Sequence, residues 1–212
     1  MPTLSKIPSS FTICSAGGWI SRVYLSSSEY GGRAYRGSDY IHSLVTLGTP
    51  HSNAPGPAFD GIRWINDPHK ETDRLERVRS LSVAGTGFKG DQWGDLTLGA
   101  YGFCSSDGSD GSQYDGDGVT PIFSALGMPG SESLTIDDVS HFCWSDVFGG
   151  DLVAPELTED HKNGKAWYGS ENVIDEWAGF IKEASNKSKS VSKSTVSSES
   201  ATKKATEQTA PQ

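Results

Sequence analysis

The chain of 212 residues is short of sulfur and of positive charge, with three cysteines, two methionines and 18 Lys+Arg against 27 Asp+Glu, for a formal charge of −9. Cys14, Cys104 and Cys143 are odd in number, lie far apart and form no Cys-x-x-Cys pair, which argues against a disulfide framework and suits a reducing compartment. No two histidines or cysteines fall at an accepted ligand spacing, so neither a metal nor any other cofactor is expected. Part of the positive charge is set apart: residues 185–212 hold five lysines and two glutamates, which leaves −12 on the remainder. A body this acidic repels phosphate, and nucleic acid is not an expected partner. Long apolar runs are missing too; none approaches the roughly 20 residues of a membrane-spanning helix, so no transmembrane segment is expected. The opening Met1-Pro2-Thr3-Leu4-Ser5-Lys6 lacks the apolar stretch of a secretory leader, which makes the cytoplasm the default compartment.

What is present suffices for one core: 34% of residues are apolar and six are tryptophan, while 25 glycines imply many turns. Apolar runs near Phe11 to Cys14, His42 to Leu47, Leu81 to Ala84 and Ser133 to Ile136 read as strands. Trp19, Ile20, Val23, Tyr24 and Leu25 give a first helix its apolar face. A final helix, capped by the Ser170 side chain, carries the stripe Val173, Ile174, Trp177, Phe180 and Ile181. Residues 52–70, rich in Pro, Asn and Gly, read as a loop or small lid. The stretch between Ala84 and Asp117, with Trp93, Tyr101 and Phe103, is a long insertion expected to line or cover a site. Strands alternating with helices predict an α/β fold, a mostly parallel sheet flanked by helices, with ligands at the carboxyl ends of the strands. The expected organisation is an irregular segment over 1–10, an α/β domain over 11–184 and a disordered Ser/Lys/Thr-rich tail over 185–212.

The most informative segment is Ile13-Cys14-Ser15-Ala16-Gly17-Gly18-Trp19, a short apolar strand, a serine on a sharp turn and a helix start. Small residues after the serine let strand and helix pass closely, and the turn lifts the hydroxyl above the sheet, the geometry of a nucleophile elbow. A serine hydroxyl is a weak nucleophile at neutral pH and needs a base, which in turn needs an orienting carboxylate. Asp117, in Gly116-Asp117-Gly118-Val119-Thr120-Pro121, and His141, in Val139-Ser140-His141, supply both in the chain order Ser, Asp, His. Asp115 is the rival carboxylate, and His51, in Gly48-Thr49-Pro50-His51, the rival base. The run from Asp107 to Gly118 invites a calcium reading but fails the EF-hand spacing: the fifth position from Asp107 is Gly111, and the twelfth from Asp115 is Leu126. A thiol nucleophile at Cys14 is disfavoured, since an elbow turns the residues beside its apex away from the cleft.

These segments, together with Ser43 to Pro50 and Trp167-Tyr168-Gly169-Ser170, resemble the α/β-hydrolase family of serine esterases and lipases over roughly residues 11–181. The resemblance is to the lipase-like branch that includes the GPI inositol-deacylases. It implies Ser15 as nucleophile, His141 as general base, Asp117 as its orienting partner, the Ala16 backbone N–H as an oxyanion donor and His51 as a residue lining the site. It implies a carboxylic ester, lipid-like, as substrate; an acyltransferase using the same acyl-enzyme is a further option. Two departures stand out. The position two before the serine, commonly glycine, is Ile13, whose branched side chain is expected to crowd the turn. The family also has several strands ahead of the elbow, so the chain is expected to be the carboxyl-terminal part of such a domain. An uncovered sheet edge of this kind predicts self-association, and an inactive remnant working by association is the reading from another class.

Overall fold

The structure is a computed structural model that describes residues 9–143, 159 and 162–183; the tail expected over 185–212 lies outside the described residues. Four strands form where β-branched and apolar residues run together: β1 Ser9–Cys14, β2 Ile41–Leu47, β3 Arg79–Gly85 and β4 Glu132–Ile136. They lie in the order β1-β2-β3-β4, and each neighbouring pair is parallel. Parallel neighbours need a long return path, and helices provide it. Helix α1 (Gly17–Leu25) follows β1, α2 (Asp60–Ile65) and α3 (Thr72–Arg77) separate β2 from β3, and α4 (Gly94–Cys104) and α5 (Ile122–Ala125) separate β3 from β4. A second parallel pair, β5 (Val139–Ser140) with β6 (Ala166–Trp167), leads to α6 over 171–183. The fold is α/β, a parallel sheet of four strands flanked by helices.

Both faces of the sheet are covered. Side chains alternate along a strand, so Val45 and Leu47 of β2 join Leu81, Val83 and Ile136 in a cluster sealed by Val173 and Phe180 of α6, while Leu44 joins Leu25 of α1, Val78 and Met128 on the opposite face. Full burial of each such aliphatic side chain contributes roughly 1.5–3 kcal/mol. The parallel register also aligns the strand ends: Cys14 pairs with Leu47, Leu47 with Val83, and Gly85 with Ile136. Whatever follows β1, β2, β3 and β4 therefore starts from one rim of the sheet.

Several local expectations are altered. Residues 52–70 are not a plain loop: a 3-10 turn at Pro57–Phe59 runs into α2, and a second turn spans Pro68–Lys70. Phe59, Ile62 and Ile65 recur every third residue and are buried, and this periodicity outweighs the proline, asparagine and glycine around it. On α1 the apolar stripe is turned, with Ile20 at 52% exposure and Arg22 at 0%, because Glu71 receives the Arg22 Nε at 2.9 Å. Strand β1 starts at Ser9, so Ser9 and Ser10 belong to the sheet rather than to an irregular segment reaching residue 10. The Ser170 hydroxyl accepts the Trp167 N–H at 3.0 Å instead of capping α6, whose first N–H groups, from Val173 and Ile174, find the Ser170 carbonyl. Among the described residues no helix is long and apolar enough to cross a membrane.

Candidate active site

Ser15 is the first residue after β1, and its N–H extends the ladder by donating to Leu47 O at 3.1 Å. Its φ is +53°, a left-handed conformation that side-chain-bearing residues adopt at a cost of order 1–3 kcal/mol. The strain is held by neighbours: the Ser15 carbonyl accepts both the Gly18 N–H at 3.1 Å and the Thr49 hydroxyl at 2.8 Å. Close passage explains the glycines. A Cβ on Gly17 would lie 2.3 Å from Ile13 Cγ2, and one on Gly18 would lie 2.1 Å from Thr49 Oγ1. The crowding expected at Ile13 is thus relieved from the other side of the turn, because the residue it faces carries no side chain. The Ala16 N–H, at the start of α1, enters no hydrogen bond among the described residues.

Asp117 and His141 meet on the same rim. Asp117 lies in the excursion between β3 and β4, where the Gly116 to Pro121 bridge closes a tight turn. Its Oδ1 accepts the N–H groups of Val119 at 3.0 Å and Thr120 at 2.7 Å. Its Oδ2 lies 2.7 Å from His141 Nδ1 and accepts the Tyr168 hydroxyl at 2.9 Å. With three other donors already on this carboxylate, Asp117 is the acceptor toward His141, and the hydrogen between them is assigned to Nδ1. In the neutral ring Nε2 then carries a lone pair. That atom is buried and has no partner among the described residues, so no hydrogen bond joins it to the Ser15 hydroxyl here. Both side chains of the dyad are fully buried.

Gly48, at the end of β2, is the hinge between serine and dyad. Its φ is +55°, and an added Cβ would stand 2.2 Å from Asp117 Oδ2, 2.8 Å from His141 Nδ1 and 2.9 Å from the Tyr168 ring. The Thr120 hydroxyl donates to the Gly48 carbonyl at 2.8 Å, and Thr49 reaches Ser15, so adjacent residues of one turn hold both halves of the site. Beside Ser15 opens a cavity of about 240 Å³, with Ala16, Trp19, Phe59, Phe103 and Val119 among its walls and no charged side chain. Cys104 also lines it, and burial, reinforced by the Asp117 charge, pushes its thiol up to about 12, which keeps it protonated.

The rival residues lie elsewhere. His51 is buried with its ring turned toward α1 and β2, where Nδ1 accepts from Arg22 at 3.1 Å and Nε2 meets Thr46 at 3.2 Å; like Asp117 and His141 it is not among the residues lining the cavity, but unlike His141 both of its ring nitrogens are engaged. Burial, then the charges of Arg22 and Arg74, hold its pKa well below 6.5. Asp115 Oδ1 is occupied by the N–H groups of Gly87 at 2.9 Å and Gly116 at 2.7 Å. Asp107 and Asp110 accept from the backbone of Ser109 and Ser112 in turns of the same run.

Tyr168 and Gly48 were not assigned to the site from the sequence. A buried tyrosine needs a partner for its hydroxyl, but spacing alone does not identify Asp117 as that partner. No protein-family model and no curated protein matches the chain.

Proposed function

We propose that the chain is a serine hydrolase of the α/β-hydrolase type acting on carboxylic esters. The observation that carries this reading is the His141 ring, fixed at Nδ1 by Asp117 and left with an unpartnered, buried Nε2 on the sheet rim where Ser15 sits in a left-handed turn. In the reaction Ser15 Oγ attacks the ester carbonyl while His141 Nε2 takes the hydroxyl proton, and collapse of the tetrahedral adduct expels the alcohol, which receives that proton. Water then attacks the acyl-serine by the same route and releases the acid. The Ala16 N–H supplies one donor to the oxyanion, and a donor of this kind lowers the barrier by about 3 kcal/mol. A cavity walled by Trp19, Phe59, Phe103 and Val119, with no charge, favours an apolar acyl group, in keeping with lipid-like esters.

The test is covalent labelling of the full chain by a fluorophosphonate, with Ser15→Ala beside it. Labelling and ester turnover are expected from the natural chain and neither from the variant, whose thermal unfolding should remain cooperative. Turnover that persists in Ser15→Ala sinks the proposal. A second reading, action by association, is favoured by one observation: β1 pairs only with β2 among the described residues, and its residues are mostly half-buried, whereas β2 is buried almost throughout.

A further inference from the structure

We propose that Tyr168 is a positioning residue that aims the Asp117 carboxylate at His141 and so sets the imidazole for its work on Ser15. The direction of its hydrogen bonds carries the argument. Gly85 N–H donates to the Tyr168 oxygen at 2.6 Å, so the phenol hydrogen is free to point only the other way, to Asp117 Oδ2 at 2.9 Å. Burial, and then the Asp117 charge, keep the phenol pKa well above 10, and the group remains a donor at any working pH. Asp117 is thereby gripped at both oxygens, by the Val119 and Thr120 N–H groups on Oδ1 and by Tyr168 and His141 on Oδ2. Without Tyr168, Oδ2 keeps a single donor, and the carboxylate can rotate about its Cβ–Cγ bond or share that oxygen with water.

The placement is a matter of register. Ser140 pairs with Trp167 in the β5–β6 ladder, so His141 and Tyr168 leave adjacent strands side by side, and the Tyr168 hydroxyl reaches the Gly85 N–H at the end of β3. Gly85 at that end carries no side chain, and a Cβ there would stand 2.0 Å from the Val139 carbonyl oxygen and 3.0 Å from Asp117 Cβ, so its absence lets β5 and the Asp117 turn approach the end of β3. One phenol therefore ties the β3 end, the Asp117 turn and the segment after β6 into a single unit.

The kinetic arm of the test rests on the serine-hydrolase reading; the spectroscopic arm does not. In the full chain, the low-field proton resonance of His141 Nδ1–H, assigned by its loss in Asp117→Asn, is compared between the natural protein and Tyr168→Phe. The variant keeps the packed ring and is expected to shift the resonance and broaden it. It should also lower kcat for a p-nitrophenyl ester about tenfold while leaving KM unchanged, because orientation matters in the transition state rather than in ground-state binding. A difluorinated tyrosine at position 168 retains the hydroxyl as a stronger donor; it is expected to shift the resonance in the opposite sense, and it decides the matter should the phenylalanine variant not fold. An Nδ1–H resonance that does not respond to either change overturns the positioning role. A folded chain with a responsive resonance but no turnover of any ester overturns the hydrolase reading and leaves the positioning intact.

Discussion

Gly17→Ala places a methyl group where Ile13 Cγ2 already sits, 2.3 Å from the added carbon, so a substitution that ordinarily strengthens a helix is expected to weaken this one. The loss should be about 1–3 kcal/mol, in the range of an overpacked core. In an Ile13→Ala background the same change should cost far less, since the Ile13 Cβ is 3.8 Å away and only the branched methyl collides. Urea unfolding of the four proteins of the cycle measures the coupling; strict additivity would contradict the packing described for the turn. At this scale the sequence was legible as far as placement goes: Ser15 follows β1, and Asp117 rather than Asp115 faces the His141 imidazole. The supporting contacts were not legible, because they depend on distances between remote segments. Tyr168 is 51 residues from the carboxylate it grips, and nothing local to either residue announces the other.

Among the elements, α1 and α3 are joined by buried charge. Arg22 of α1 donates to Glu71 at 2.9 Å and to Asn66 at 2.6 Å, Arg74 of α3 donates to both Glu71 oxygens at 2.7 and 2.8 Å, and His51 accepts from Arg22. Removing one member of such a group leaves an uncompensated buried charge, a loss of roughly 3–5 kcal/mol. The network also gives stability a pH dependence. Burial and the neighbouring guanidinium charges hold the His51 pKa well below 6.5, so the unfolded chain gains a proton there that the folded chain refuses. Stability therefore falls as pH drops from about 6.5 toward the folded value, by at most about 1.4 kcal/mol per pH unit. Glu71 acts later. Burial alone would raise its pKa, but the Arg74 and Arg22 hydrogen bonds outweigh it and leave the pKa below 4.5, so its contribution is present above that value and is lost as pH falls through the folded one. His51→Gln should flatten the first stage only. Urea midpoints at about pH 7.5 and about pH 5.5 measure this, and an equal drop in variant and natural chain would remove His51 from the account. Sequence periodicity revealed the four strands of the main sheet and α1 but not the short β5 and β6, and it missed that α1 buries an arginine, since a guanidinium goes inside only when a partner as distant as Glu71 comes to meet it.

For the molecule as a whole, the sheet grows in one direction from β1 to β4, which leaves the outer side of β1 without a strand among the described residues. Along Ser10 to Cys14 the outer side of β1, with the half-buried Phe11 and Ile13, is a sheet edge among the described residues, and such an edge is a template for another strand. Concentration-dependent association is the expected behaviour of the isolated chain, and sedimentation velocity over a hundredfold range of protein concentration reads it directly; a single monomeric boundary throughout would count against it. The α/β class, with Ser15 at the end of β1, followed from the alternation of strands and helices. The long stretch before Asp117 did not, because α4 is fixed there by contacts such as Thr97 to the Gly118 carbonyl and Tyr101 to the Phe88 carbonyl rather than by a clean apolar stripe of its own.

Gly48 has no side chain to offer, yet Asp117, His141 and Tyr168 all crowd the space where one would be. Its left-handed backbone is unfavourable for other residues, and its missing carbon is the volume in which the dyad is housed. Position 48 therefore has almost no alternative spellings. A residue with no side chain is specified by this fold as narrowly as any that carries one, and the meeting of Asp117, His141 and Tyr168 is written as much by what is omitted at position 48 as by the three groups themselves.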